Sequence, residues 1–135
     1  MTKKLKFLLL ALLLAFGLGL FYSQKTPQPQ KKESAQTQAA IIIDYSDGKK
    51  ESASFVPQSG QTAFDALKVL AEEKNISLET QQYDFGVFVR AIGGYPSSSE
   101  HAWIYFVNGT AGVVASDQQE IKPGDIVEWR YTKPE

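Results

Sequence analysis

Ala102-Trp103-Ile104-Tyr105-Phe106-Val107-Asn108-Gly109 and Ile121-Lys122-Pro123-Gly124-Asp125-Ile126-Val127-Glu128-Trp129-Arg130-Tyr131 decide the fold. Each couples an aromatic, β-branched run to a turn signal, and both tryptophans of the chain lie in them. Such residues suit a pleated, half-buried surface. Two strands are predicted, at 102–107 and 126–131. The first is apolar on both faces, which marks a central strand. Along it Trp103, Tyr105 and Val107 share one face, and Ile104 and Phe106 the other. In the second, Val127, Trp129 and Tyr131 lie opposite Ile126, Glu128 and Arg130.

Upstream, 40–45 is a β-branched run, and Ser46-Asp47-Gly48-Lys49 carries the Asp-Gly signal of a hairpin turn. The returning strand, 51–56, alternates Ser52 and Ser54 with Ala53 and Phe55, so one face is wet. A single helix is predicted, at about 62–75. Thr62 is its N-cap, with Asp65 three residues on as in a capping box. Phe64, Leu67, Val69, Leu70 and Ala71 form its apolar stripe, and Asp65, Lys68, Glu72 and Glu73 lie away from it. Strands follow at 76–82 and 85–92. Gly93-Gly94-Tyr95-Pro96-Ser97-Ser98-Ser99 reads as a flexible loop, and Val113-Val114-Ala115 as short and irregular. One amphipathic helix against one face of a mixed sheet is an α+β two-layer domain. The order hairpin, helix, strands resembles the β-grasp, or ubiquitin-like, arrangement.

The amino-terminal third differs. Lys3, Lys4 and Lys6 precede a sixteen-residue apolar block at 7–22. That length falls between the core of a signal peptide, about 7–15 residues, and a full membrane span of about 20. Residues 1–23 therefore read as a signal-anchor or a signal peptide. The lysines would stay inside and the rest of the chain face outside. No Ala-x-Ala cleavage signal is present, which favours a single-pass anchor; cleavage would give a secreted protein. Residues 24–39, rich in Gln, Lys, Pro, Ser and Thr, read as a disordered linker. The folded domain is expected over 40–135.

Charge and composition exclude several functions. The net charge of −1 hides a split: residues 1–39 carry six Lys and one Glu, whereas 40–135 carry eight Lys or Arg against fourteen Asp or Glu. An acidic domain does not suit nucleic acid, whose phosphates need a basic face. The chain has no cysteine. Disulfides, zinc–thiolate centres, a cysteine nucleophile and a lipoprotein lipobox are thereby excluded. An exported, disulfide-free protein fits a bacterial cell surface. No nucleophile, base or metal spacing can be assigned, so no enzyme is expected.

Thr62-x-x-Asp65-Ala66-Leu67, Ile92-Gly93-Gly94, Trp103-x-Tyr105-x-Val107-Asn108-Gly109 and Ile121-Lys122-Pro123-Gly124-Asp125-x-Val127-x-Trp129-x-Tyr131 occur in that order. Together they resemble the transcobalamin-like carboxy-terminal domain family, over about residues 40–132. The resemblance implies a β-grasp-like fold at a bacterial surface. In the animal cobalamin carriers this domain closes over cobalamin together with a helical domain. The sequence shows no helical domain and no lipobox cysteine, so a cobalamin site of that kind would be half-built. Cobalamin is then a candidate ligand and no resident cofactor is implied.

Two alternatives stand for the large rings. If Trp103, Tyr105, Trp129 and Tyr131 share an uncovered sheet face, they form a stacking platform for a corrinoid, a glycan or a partner strand. Otherwise they fill the core under the helix, as aromatics commonly do. Tyr95 and His101, from the 93–101 loop, complete the candidate ligand-binding set. His101 is the only histidine and has no second metal ligand near it in sequence. The expected function is a membrane-tethered or secreted extracellular binding module for a small ligand or a surface partner. The alternative is an accessory that docks another envelope protein without a small ligand.

Overall fold

The computed structural model describes residues 37–134. The predicted segment 1–23 and the linker up to residue 36 lie outside the described residues. The last linker residue, Ala39, belongs to the domain: it opens the first strand and is buried. Among the described residues no helix is long and apolar enough to cross a membrane.

The elements are β1 (Ala39–Asp44), β2 (Lys50–Phe55), α1 (Ala63–Lys74), β3 (Leu78–Tyr83), β4 (Gly86–Ile92), β5 (Tyr95–Pro96), β6 (Ala102–Val107), β7 (Thr110–Ala111) and β8 (Ile126–Thr132). They form one five-stranded sheet, ordered β2-β1-β8-β6-β7, and one three-stranded sheet, β3-β4-β5. The large sheet is mixed. β1 and β8, the first and last strands, lie side by side and parallel, while β2 and β6 flank them antiparallel.

The predicted single sheet is thus two. β4 does not continue the large sheet because side chains take its main-chain groups. The Val87 N–H donates to Asp117 Oδ1 at 3.0 Å, and the Val89 carbonyl accepts from Ser97 Oγ at 3.3 Å. A strand whose edge groups are already bonded has no need of a ladder partner there. The stretch read as a flexible loop is also tied down. Tyr95 and Pro96 pair with β4, Gly93 N–H donates to Ser77 O and Ser97 N–H to Arg90 O.

The helix is built as its sequence dictates. Thr62 Oγ1 accepts from the Asp65 N–H, and the Asp65 carboxylate accepts from the Thr62 N–H, a complete capping box. Asn75 ends the helix in the left-handed region at φ 55°. Its buried stripe is Ala63, Ala66, Leu67, Leu70 and Ala71. The expected members Phe64 and Val69 sit at the margin, half-buried. The helix packs on β1, β2 and β8, and β4 packs on β6. Between these layers lies one core, with Ile41, Ile43, Leu67, Leu70, Ile92 and Val127 fully buried.

Candidate functional site

The sheet register settles where the rings go. Tyr105 stands opposite Trp129 and Trp103 opposite Tyr131, on the same pleat as Ile41, Ile43 and Val127. That is the covered face. Trp103 is 5% exposed, Tyr105 7% and Trp129 2%. The four rings therefore form no open platform; the core alternative is the one the fold adopts. The physical reason is area: β4 and α1 need large side chains beneath them to close the layer.

Ring contacts divide the predicted residues into two groups. Trp103, Tyr95, Tyr131 and His101 meet at one end of the sheet, around the buried Tyr45. Tyr45 and Tyr95 ring centroids are 4.8 Å apart, Tyr95 and Tyr131 5.7 Å, and His101 stacks on Tyr131 at 5.4 Å. Hydrogen bonds hold this end. Trp103 Nε1–H donates to Tyr95 O at 2.8 Å, the Tyr131 hydroxyl to Pro96 O at 2.8 Å, and the Tyr95 hydroxyl to Asp47 Oδ2 at 2.7 Å. The Tyr95 hydroxyl holds the Asp47 carboxyl below its ordinary pKa, and that carboxylate raises the phenol of Tyr95 in turn. Burial raises the phenol of Tyr45. Gly93 lies against Tyr45, where a Cβ would stand 2.8 Å from the hydroxyl. These contacts join the turn after β1 to the segment between β5 and β6. His101 is exposed, with a ring contact and no acidic partner. Among the described residues, no three His, Cys, Asp or Glu side chains gather as a metal site.

Tyr105 and Trp129 form the second group, with centroids 5.5 Å apart. They floor a groove of about 320 Å³ between β4 and the segment after β7. Phe85, Val87 and Phe88 line one side, and Val113, Val114, Ala115 and Ser116 the other. Its rim is apolar and open to solvent: Phe85 is 62% exposed, Phe88 39%, Val113 93% and Val114 44%. A continuous apolar rim around a concavity is the usual mark of a binding surface.

The rim is held rigidly. Gly112 lies flat on the Tyr105 ring, so that any Cβ there would overlap the ring. Its N–H donates to Tyr105 O at 3.0 Å, and the Tyr105 hydroxyl donates to Val114 O at 2.6 Å. Gly86, at φ 128°, closes the other side: a Cβ there would meet Ala115 Cβ and Asp117 Oδ1 at 2.5 Å. Burial raises the Tyr105 phenol above its ordinary pKa, so it remains a donor through neutral pH.

Trp129 and Ser116 are lining residues whose Nε1 and Oγ are enclosed by protein and make no hydrogen bond among the described residues; the Tyr45 hydroxyl, away from the groove, is a third such atom. Sequence reading missed the rim because Val113-Val114 follow no strand or helix period. Their signal was an apolar pair in an irregular segment, next to a glycine that has no turn to make.

Known proteins place these features in context. A protein from Ruminococcus gnavus ATCC 29149, provisionally described as metal binding, matches with a TM-score of 0.57 at 14% identity. The match covers 73% of this chain and 99% of that one. Haptocorrin in complex with Cbi matches with a TM-score of 0.63 at 12% identity, over 73% of this chain. The match spans only 26% of the haptocorrin chain. At these identities the likeness is one of fold. No curated protein matches the chain in sequence. The family model for DUF4430, a domain of unknown function, matches residues 60–133, which take in the helix, the second sheet, the groove and the last strand, and the chain belongs to that family.

Proposed function

We propose that this protein is a non-catalytic binding module that takes a small ligand in the groove between β4 and the 112–116 segment. The observation that carries this reading is an exposed apolar rim around a concavity floored by Tyr105 and Trp129. Isolated exposed apolar residues are ordinary, but a rim locked in place by Gly112 and Tyr105 around a concavity is a preformed site. The ligand route therefore runs through this groove and not through an open aromatic face.

The finer reading is a β-grasp domain of the transcobalamin-like type. It is supported by the parallel first and last strands with one helix across them, and by the fold likeness to haptocorrin in complex with Cbi. A corrinoid is accordingly the first ligand to test. A groove of about 320 Å³ would accept an edge or side group of such a molecule, leaving the rest in solvent or against a second protein. In this reading residues 7–22 tether the module outside the cell membrane, or are removed to release it.

A second reading, docking of another envelope protein without a small ligand, is favoured by one feature. Tyr83 and Phe85, both exposed, stack on each other at 5.1 Å beside the rim and extend the apolar surface beyond the groove.

The test is titration of the full chain with cobalamin, beside a variant carrying Phe85→Ala and Val113→Ser. Both side chains are exposed, so the fold should be kept. Saturable binding weakened about tenfold or more in the variant supports the groove. Binding of equal strength in the two proteins places the ligand elsewhere. No binding by either removes the corrinoid and favours the docking reading.

A further inference from the structure

We infer that the outer edge of β2 is a self-association surface, on which a second copy of this chain pairs antiparallel about a two-fold axis through Ala53. The inference goes beyond the groove reading and does not depend on it.

β2 ends the large sheet, and its pairing with β1 is regular over Lys50–Phe55. The Tyr45 N–H donates to Lys49 O at 3.1 Å, which sets the phase of the ladder. Glu51, Ala53 and Phe55 then turn their main-chain groups to β1, and Lys50, Ser52 and Ser54 turn theirs outward. These three residues are exposed, and among the described residues no hydrogen bond reaches their N–H or carbonyl groups. Such an unpaired row is a template for another strand. The other free edges are blunted. β5 and β7 are two residues long, and β5 contains Pro96. β3 meets β4 through a register shift at Glu79/Thr80, an irregularity that twists an edge away from a partner. β2 has neither proline nor register shift, and small serines hold two of its outward positions. Lysine is a usual edge guard, but the Lys50 ammonium is drawn back to Asp44 of β1, 2.8 Å away.

Symmetry and charge select the occupant and its register. A two-fold axis normal to the sheet makes two copies of β2 antiparallel and self-complementary. Centring on Glu51 or Ser52 sets the two Glu51 carboxylates opposite or diagonal on one face, where like charges repel. Centring on Ser54 leaves Ser52 facing Val56, past the end of the strand. Centring on Ala53 avoids both conflicts. Ser52 then faces Ser54 of the second copy, and each such pair exchanges both main-chain bonds. Glu51 faces Phe55, and the Lys50 stem lies beside Val56, which is 62% exposed in the single chain. The small Ala53 side chains meet on the axis, where a non-hydrogen-bonded pair brings the Cα atoms to about 4.5 Å. The two large sheets become one. So small a contact makes a weak dimer that depends on concentration.

Two measurements on the full chain in neutral detergent test this. The first is amide exchange of the unmodified protein. The Ser52 and Ser54 amides should exchange about tenfold more slowly at millimolar than at micromolar concentration, because pairing protects them. Ser54→Pro removes one outward N–H and no bond to β1, so the edge strand should stay folded and the concentration dependence should disappear. The second is cross-linking. The chain has no cysteine, so single cysteines report the register. Ala53→Cys should give a disulfide-linked dimer under mild oxidation, since Cα atoms about 4.5 Å apart lie within disulfide range. Glu51→Cys, on the same face, should cross-link about tenfold less, because its two copies stand roughly 13 Å apart along the strands.

Equal cross-linking at positions 51 and 53, or association untouched by Ser54→Pro, would put the contact elsewhere in the chain and overturn the edge assignment. Concentration-dependent protection without cross-linking at position 53 would overturn the Ala53 register. Slow exchange of Ser52 and Ser54 that ignores concentration would place a segment of the same chain on the edge and overturn the second copy as its occupant. Fast exchange at every concentration would overturn self-association through β2 altogether. If Ala53→Cys does not fold, the exchange of the unmodified chain beside Ser54→Pro still decides.

Discussion

Gly112 and Tyr105 interlock: the glycine lies flat on the phenol ring, and the hydroxyl reaches past it to Val114 O at 2.6 Å. The ring supports the segment from below and the hydroxyl pins it two residues further on. This pair turns an irregular stretch into one wall of the groove. Its φ is not the reason for glycine here; space is.

Gly112→Ala should therefore lower stability by about 1–3 kcal/mol, the usual cost of forcing a methyl into a packed site. Tyr105→Phe should cost about 1 kcal/mol through the lost hydroxyl bond. Denaturant midpoints of both variants check the values. The informative quantity is amide exchange at Val113 and Val114, which should quicken in both while the β1–β8 amides remain protected.

The tryptophans provide a second test of the core placement. With both rings buried, emission should be blue-shifted, and iodide should quench it only weakly until the protein unfolds. Trp129→Ala should cost about 3–5 kcal/mol, as truncation of a buried large ring does. Strong iodide quenching in the native protein would contradict the packing of β4 over β6.

Acid should destabilise the domain through Asp44. Its hydrogen bond and ion pair with Lys50, 2.8 Å away, and its bond from the Ser46 N–H hold the carboxyl below its ordinary pKa. A lowered folded-state pKa means this contribution is present above the unfolded value near 4 and disappears as pH falls through the lowered one. The effect should be small, about 0.5 kcal/mol, because Lys50 is largely exposed. Urea midpoints between pH 7 and pH 2.5 should show a flatter acid limb in Asp44→Asn than in the native chain.

The helix cap is separable from the groove. Thr62→Ala removes the side-chain half of the capping box and should cost about 1 kcal/mol. Because Thr62 lies outside the groove lining, cobalamin affinity should not change. A parallel loss of affinity would show that the groove depends on helix position.

Much of this protein was legible residue by residue. Thr62 and Asp65 announced the helix start because capping is a local, three-residue affair. Asn108-Gly109 and Pro123-Gly124 announced turns because positive φ admits few residues. Asp125 does bond the Lys122 N–H, as a turn carboxylate should, and it also accepts from the Asn108 side chain at 2.8 Å. Strand period placed Trp103 with Tyr105 and Trp129 with Tyr131 on common faces, and the register confirms both pairs.

Which face is covered is a different kind of fact. Alternation assigns partners within a face but does not say which layer lies above it when both faces are apolar, as in β6. Only tertiary packing decided that β4 would close over Trp103 and Tyr105, with α1 on β1, β2 and β8. That closure is tied by Asp117, 30 positions from the Val87 N–H it accepts from, and by Ser97, eight positions from the Val89 carbonyl it donates to. The groove arises from the same event. Phe85 and Val113 are 28 positions apart and carry no shared pattern, and they become two walls of one site only once β4 and the Gly112 segment meet across the Tyr105 ring. Local propensity and period follow from the covalent chain, so sequence alone determined the helix, the longer strands and their faces, but not the two-residue strands β5 and β7; the site is a long-range juxtaposition, so only the folded structure could reveal it.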